Sequence, residues 1–150
     1  MRVVSIGDLV LDYYYKNGNT DDAVNLLIKY IRTWKEPIDG YRLLISIYEE
    51  QAEYQKINEI LLDCKDETIV NQFQKYVALP PEFSLQDSIY YEMVPLKILG
   101  NSKGRIYYTL DGSEPTDKSN EYKAPVFLDT GKYLVKAVFI NSYGIKSSTA

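Results

Sequence analysis

Histidine is absent from this 150-residue sequence, and cysteine and tryptophan each occur once. Without histidine the commonest general base is missing and no Ser-His-Asp set can be built. A single cysteine forbids an internal disulfide, and one Cys with no His excludes the usual structural zinc sites. Cys64 lies in the apolar run ILLDC, which reads as a structural thiol rather than a nucleophile. No apolar run reaches the length of a membrane span. The opening MRVVSIGDLV is too short and too polar for a signal peptide. Positive charge is also scarce. The net charge is −4, and it resides in residues 1–78, where 9 Lys/Arg face 13 Asp/Glu; residues 79–150 carry 8 of each. Such a chain has no electrostatic grip on phosphate backbones, so nucleic acid and anionic membrane surfaces are poor partners. With no Gly-rich phosphate loop either, we expect no catalytic residues, no cofactor and no metal.

Tyrosine is abundant, with 15 residues against 4 Phe. It suits strand and helix packing, and also sugar-stacking and peptide-binding surfaces. At 45% hydrophobic and 25% charged, the composition is that of a globular chain with one domain or two small ones. The C-terminal GIKSSTA stops without a turn, and we expect the chain to be a piece of a longer protein with any targeting signal outside it.

Two hydrophobic periods divide the chain. Over residues 8–78 apolar residues recur at three and four: Leu9, Val10, Tyr13, Tyr14; Ala23, Leu26, Leu27, Tyr30, Ile31; Leu43, Leu44, Ile47, Tyr48; Ile57, Ile60, Leu61. Asn19 or Thr20 is the N-cap of the second helix, with acids in its first turn. A last amphipathic helix is expected over Glu67 to Val77. A shift of 34 superimposes the chain on itself: Leu9 on Leu43, Tyr14 on Tyr48, Gly18 on Ala52, Ala23 on Ile57, Leu27 on Leu61.

That period and those residue types resemble the tetratricopeptide repeat. An aromatic stands in the first helix (Tyr14, Tyr48), a small residue in the turn (Gly18, Ala52), and Ala23 opens the second helix, where Ile57 departs from the pattern. The resemblance covers about two repeats and a trailing helix. It implies stacked helical hairpins whose first helices line a concave, partner-binding surface. In that register Asp8, Asp12, Tyr15, Arg42, Ser46 and Glu49 form the candidate surface for a protein or peptide partner.

Residues 79–83, within ALPPEF, form a Pro-Pro junction that stops the helix. Beyond it the period is two. Val94, Leu96, Ile98; Ile106, Tyr108, Leu110; Val126, Leu128; and Val135, Ala137, Phe139 each occupy one face of a short strand. Turn residues separate them, which argues for a small antiparallel β-sandwich over residues 84–150. The fold class is therefore multi-domain α plus β. RIYYTLDGSEPT, then Tyr122 with Ala124-Pro125-Val126, then YLVKAVFINSYG, resembles the C-terminal domain of chitobiases and β-hexosaminidases. That module is immunoglobulin- or fibronectin-like, occurs in bacterial surface and secreted proteins, and often accompanies glycoside hydrolases. The resemblance implies an accessory role, because the hydrolase active site lies in a separate barrel. It also implies a final strand cut at Ala150.

Asp111, Glu114 and Asp117 invite a catalytic or calcium reading. They match neither a glycosidase pair nor an EF-type loop, and a turn explains them: Asp bonds its own backbone, Gly takes positive φ, Pro fixes the exit. On the adjoining strand alternation places Tyr108 in the core and Tyr107 outside, where it is the candidate glycan contact. Tyr90 and Tyr91 pose the same question. The function expected is a noncatalytic interaction or scaffold region of a bacterial envelope or secreted protein. The alternative is a carbohydrate-binding accessory to a glycoside hydrolase.

Overall fold

The computed structural model describes residues 16–33, 37–86 and 89–150. Two compact units divide the chain, Met1–Gln72 and Phe73–Ala150. The described part of the first is helical and that of the second is built from short antiparallel strands. The expected helical end at 78 and the junction 79–83 both fall inside the second unit.

Four α-helices stand in the described part of the first unit: α1 (Thr20–Thr33), α2 (Ile38–Glu50), α3 (Tyr54–Leu62) and α4 (Glu67–Gln72). α1 starts after Asn19, whose side-chain amide donates to Asp22, and Asp21 and Asp22 place negative charge against its exposed amides. Ala23, Leu27 and Ile31 recur at four and are buried. α2 follows Pro37, which has helical φ and no N–H to lose. Its Tyr41, Leu44, Ile45, Ile47 and Tyr48 turn inward, as do Ile57 and Leu61 of α3.

The 34-residue periodicity has a backbone counterpart. α1 begins at Thr20 and α3 at Tyr54, and the residues two positions ahead, Gly18 and Ala52, both take positive φ, +72° and +56°. Ala23 and Ile57 are both fully buried, and Leu27 and Leu61 are 2% and 1% exposed. At the second turn Ala52 N–H donates to Glu49 O and Glu53 N–H to Tyr48 O, at 3.0 and 2.8 Å. These are the two bonds of a Schellman C-cap, whose left-handed position is normally glycine. Ala52 carries the steric cost of a Cβ there, about 1–2 kcal/mol. Glycine would remove it while losing about 0.4–1 kcal/mol through a more flexible unfolded chain. Ala52→Gly is therefore expected to stabilise the helical unit by about 0.5–1 kcal/mol, measured by chemical denaturation.

The sequence predicts one helix over Glu67 to Val77, but the structure breaks it. α4 ends at Gln72, Phe73 leaves helical dihedrals (φ −112°, ψ 21°), and Gln74–Tyr76 form a 3₁₀ turn. The break lets Tyr76, Val77 and Ala78 be buried in succession, at 1%, 4% and 0% exposed, which an amphipathic helix cannot do.

Among its described residues the second unit has seven strands: β1 (Glu82–Phe83), β2 (Val94–Leu96), β3 (Ile98–Leu99), β4 (Gly104–Thr109), β5 (Asn120–Glu121), β6 (Val126–Leu128) and β7 (Lys136–Asn141). They form antiparallel sheets β1-β3, β2-β6 and β5-β4-β7. The last residues extend the third sheet. Asn141 N–H donates to Ile145 O, Ser147 N–H to Phe139 O, and Ala137 and Ala150 exchange both bonds. The C-terminal segment thus pairs along β7 through Ala150 itself.

Leu96, Ile98 and Ala137 form the centre of the core. Phe83, Leu85, Ile106, Tyr108, Tyr122, Val126, Leu128 and Val135 pack around them, so all three sheets contribute to one apolar interior. Tyr108 meets Tyr122 edge to face, with ring centroids 6.4 Å apart. Phe139, 1% exposed, occupies a notch where Gly100 and Gly104 have no Cβ to obstruct its ring.

Candidate functional site

Of the expected partner surface, Arg42, Ser46 and Glu49 lie within the described structure. Asp8, Asp12 and Tyr15 lie outside the described residues. The three residues follow one another at four and three along α2 and all are exposed, opposite the buried Leu44, Ile45 and Tyr48. Arg42 pairs with Asp39 one turn earlier, Nη1 to Oδ1 at 3.2 Å, with both side chains largely in solvent. Such a pair is easily exchanged for a partner's charge. The stripe presents one cation, one hydroxyl and one carboxylate, which suits polar contacts to another chain rather than bond chemistry.

Behind this face the titratable groups are structural. Burial pushes the Tyr41 hydroxyl well above its ordinary value, helped by its hydrogen bond to Cys64. Burial also raises Tyr48, against the opposing charge of Lys56, whose ammonium lies 5.6 Å from the ring centroid. Cys64 is partly buried, its thiol directed at Asp66 O at 3.7 Å. Among the described residues no group of three or more His, Cys, Asp or Glu could hold a metal.

The glycan candidate changes character. Tyr107 is only 8% exposed, whereas Tyr108 is half-buried. Strand alternation is correct, but both faces of β4–β7 are covered. Tyr108 faces the apolar interior. Tyr107 lies beside Val138, which is wholly buried on the other face. That outer face is roofed by the segment following β4. Lys136 and Lys146, on β7 and the C-terminal segment and sharing the Val138 face, bond Glu114 and the carbonyl of Pro115 (3.4 Å). Thr149 Oγ1 donates to the other Glu114 oxygen at 3.0 Å, and Pro115 is itself buried. Tyr107 is therefore a buried residue of this sheet, with little surface to offer a sugar ring. Tyr91 is 94% exposed; Tyr90 hydrogen-bonds the backbone N–H and C=O of Gln86 at 3.3 and 3.1 Å.

The acidic stretch is a turn. Asp111 Oδ1 accepts from Ser113 N–H and Oγ–H at 3.0 and 2.6 Å, Thr109 Oγ1 donates to Ser113 O at 2.6 Å, and Gly112 takes φ +81°. The Ser113 bonds hold the Asp111 carboxyl below its ordinary 3.8, and Lys136 followed by Thr149 hold Glu114 below 4.5. Groups depressed on folding stabilise fully above their unfolded values and lose that contribution as pH falls through the folded ones. The β unit is thus expected to lose melting temperature as pH drops below 4.5. Glu114→Gln should flatten that slope, as followed by thermal unfolding across the acid range.

One constellation escapes sequence reading. Asn101 clamps the backbone after the 3₁₀ turn, with Oδ1 accepting from Leu79 N–H at 3.1 Å and Nδ2 donating to Val77 O at 3.0 Å. Asn141, 5% exposed, accepts from Tyr143 and Ile145 N–H and donates to Lys75 O at 3.3 Å. Tyr76 packs on Tyr143 with centroids 5.0 Å apart, and Lys75 lies 4.4 Å from the Tyr76 ring centroid. Asn101 and Asn141 both sit in turn signals of the sequence, but nothing there marks their partners 22–24 and 66 residues away.

The second unit is built of short antiparallel strands around one core, an arrangement consistent with an immunoglobulin- or fibronectin-like domain. In agreement, the family model described as Fn3 associated matches residues 94–150. No curated protein and no solved structure matches the chain.

Proposed function

We propose that the chain is a noncatalytic interaction and scaffold region. Its helical hairpins, of tetratricopeptide type, hold a protein or peptide partner. Its β-sandwich, akin to the chitobiase/β-hexosaminidase C-terminal domain, serves as spacer or adhesion module in a bacterial envelope or secreted protein. The observation that carries this reading is the 34-residue recurrence of helix start, left-handed turn and buried pair: Thr20/Tyr54, Gly18/Ala52, Ala23/Ile57. Stacked repeats of this kind present extended surfaces to other chains. The exposure of Arg42, Ser46 and Glu49 on α2 supports a contact surface on that helix. The carbohydrate-accessory alternative is weakened by the burial of Tyr107.

A photo-crosslinking residue placed at Ser46 in the native host tests the proposal. One discrete protein adduct is expected, lost in Arg42→Glu/Glu49→Arg. No adduct at Ser46, or one unaffected by the charge reversal, would contradict it.

A further inference from the structure

The strand run through β2 and β3 alternates strictly. Leu96 and Ile98 are buried in the core and Val94 is half-buried on the same side of the run, so Met93, Pro95, Lys97 and Leu99 point out. Cross-strand neighbours extend the outward face. Phe127 stands opposite Pro95, and Glu82 opposite Leu99. Asp129 continues β6 on the Phe127 side, one outward step along and opposite Met93. Solvated faces of antiparallel sheets are normally polar. Here Met93 is 59% exposed, Leu99 59% and Phe127 65%.

Lys97 stands in the middle of this apolar strip. Among the described residues it makes no ion pair; its backbone bonds Ser84, N–H to Oγ and C=O to N–H. The strip ends in the carboxylates of Glu82 and Asp129, which also lack a cation among the described residues. One cation amid apolar side chains, with carboxylates at the ends of the same face, is a self-complementary pattern. A second copy laid on the face brings apolar residues to apolar residues and a carboxylate to Lys97. An isologous two-fold contact makes each such pairing twice.

We infer that the outer β2–β3–β6 face is a homodimer interface, with Phe127 as its apolar anchor and Lys97 paired to Glu82 or Asp129 of the second copy. The face is a single strip of side chains, so the dimer is of the weak class.

Sedimentation equilibrium of the full chain over a concentration series tests this. A mass approaching twice that of one chain is expected. Phe127→Ser and Lys97→Glu should each raise the dissociation constant about tenfold or more. Both positions are solvent-exposed, so circular dichroism should show the fold intact. The charge-swapped variant Lys97→Glu/Glu82→Lys/Asp129→Lys should recover dimerisation, which a partner of other chemistry would not produce. A chain that stays monomeric throughout overturns the inference and leaves the face to a different protein or a glycan. A dimer indifferent to Phe127→Ser and Lys97→Glu overturns it equally.

Discussion

Phe139→Ala is expected to destabilise the β unit by about 4 kcal/mol, in the middle of the range for loss of a buried aromatic. The ring is 1% exposed and lies against two glycines, Gly100 and Gly104. Neither has a side chain that can swing into the space left behind, so the cavity closes poorly. Phe139 also pairs with Ile106 in the central β4–β7 ladder, so the loss falls at the middle of the sheet. Chemical denaturation followed by near-ultraviolet circular dichroism of the tyrosines measures the change. A loss below about 1.5 kcal/mol, the scale of a volume-conserving swap, would contradict this packing.

The converse substitution, Gly104→Ala, is expected to cost about 3 kcal/mol by overpacking. A Cβ at Gly104 would lie 2.3 Å from Ile140 O and 2.6 Å from the Phe139 ring. The carbonyl belongs to the neighbouring strand and moves only if the ladder opens. A Cβ at Gly100 meets the Phe139 ring at 2.8 Å and no backbone atom among its three nearest neighbours. Shrinking the ring with Phe139→Leu should therefore suppress much of the effect of Gly100→Ala but little of Gly104→Ala. Equal suppression of both would show that the strand carbonyl is not the obstacle.

Much of the architecture is legible in the residues, because periodicity reports which side of an element is buried. The three-four spacing of Ala23, Leu27 and Ile31 gives α1, and alternation from Val94 to Ile98 gives the inward face of β2 and β3. The 34-residue shift aligns Gly18 with Ala52, and both take positive φ. Alternation reports one covered face and is silent about a second. Tyr107 therefore reads as outside, although Glu114 and Pro115, tied to Lys136 and Lys146, roof that face. The end of the helical stretch is misread for a related reason. Lys75, Tyr76 and Val77 continue a helical pattern locally, but the carbonyls of Lys75 and Val77 accept from Asn141 and Asn101, far along the chain. Long-range side-chain-to-backbone bonds leave no local signature. Of the candidate partner face, the outward direction of Arg42, Ser46 and Glu49 follows from helical spacing alone; what occupies it does not.

That the β unit begins at Phe73, with Lys75 bound to it through Asn141 and the start of the Pro-Pro segment through Asn101, is tested most directly at one amide. Leu79 N–H belongs to no helix or strand and its acceptor is the side chain of Asn101. Native-state hydrogen exchange is expected to show Leu79 protected in the intact chain and released in Asn101→Ala, while the amides of β4 and β7 keep their protection. Exchange of Leu79 at the rate of an unstructured peptide in the intact chain would mean that the segment is a free linker and the clamp does not exist.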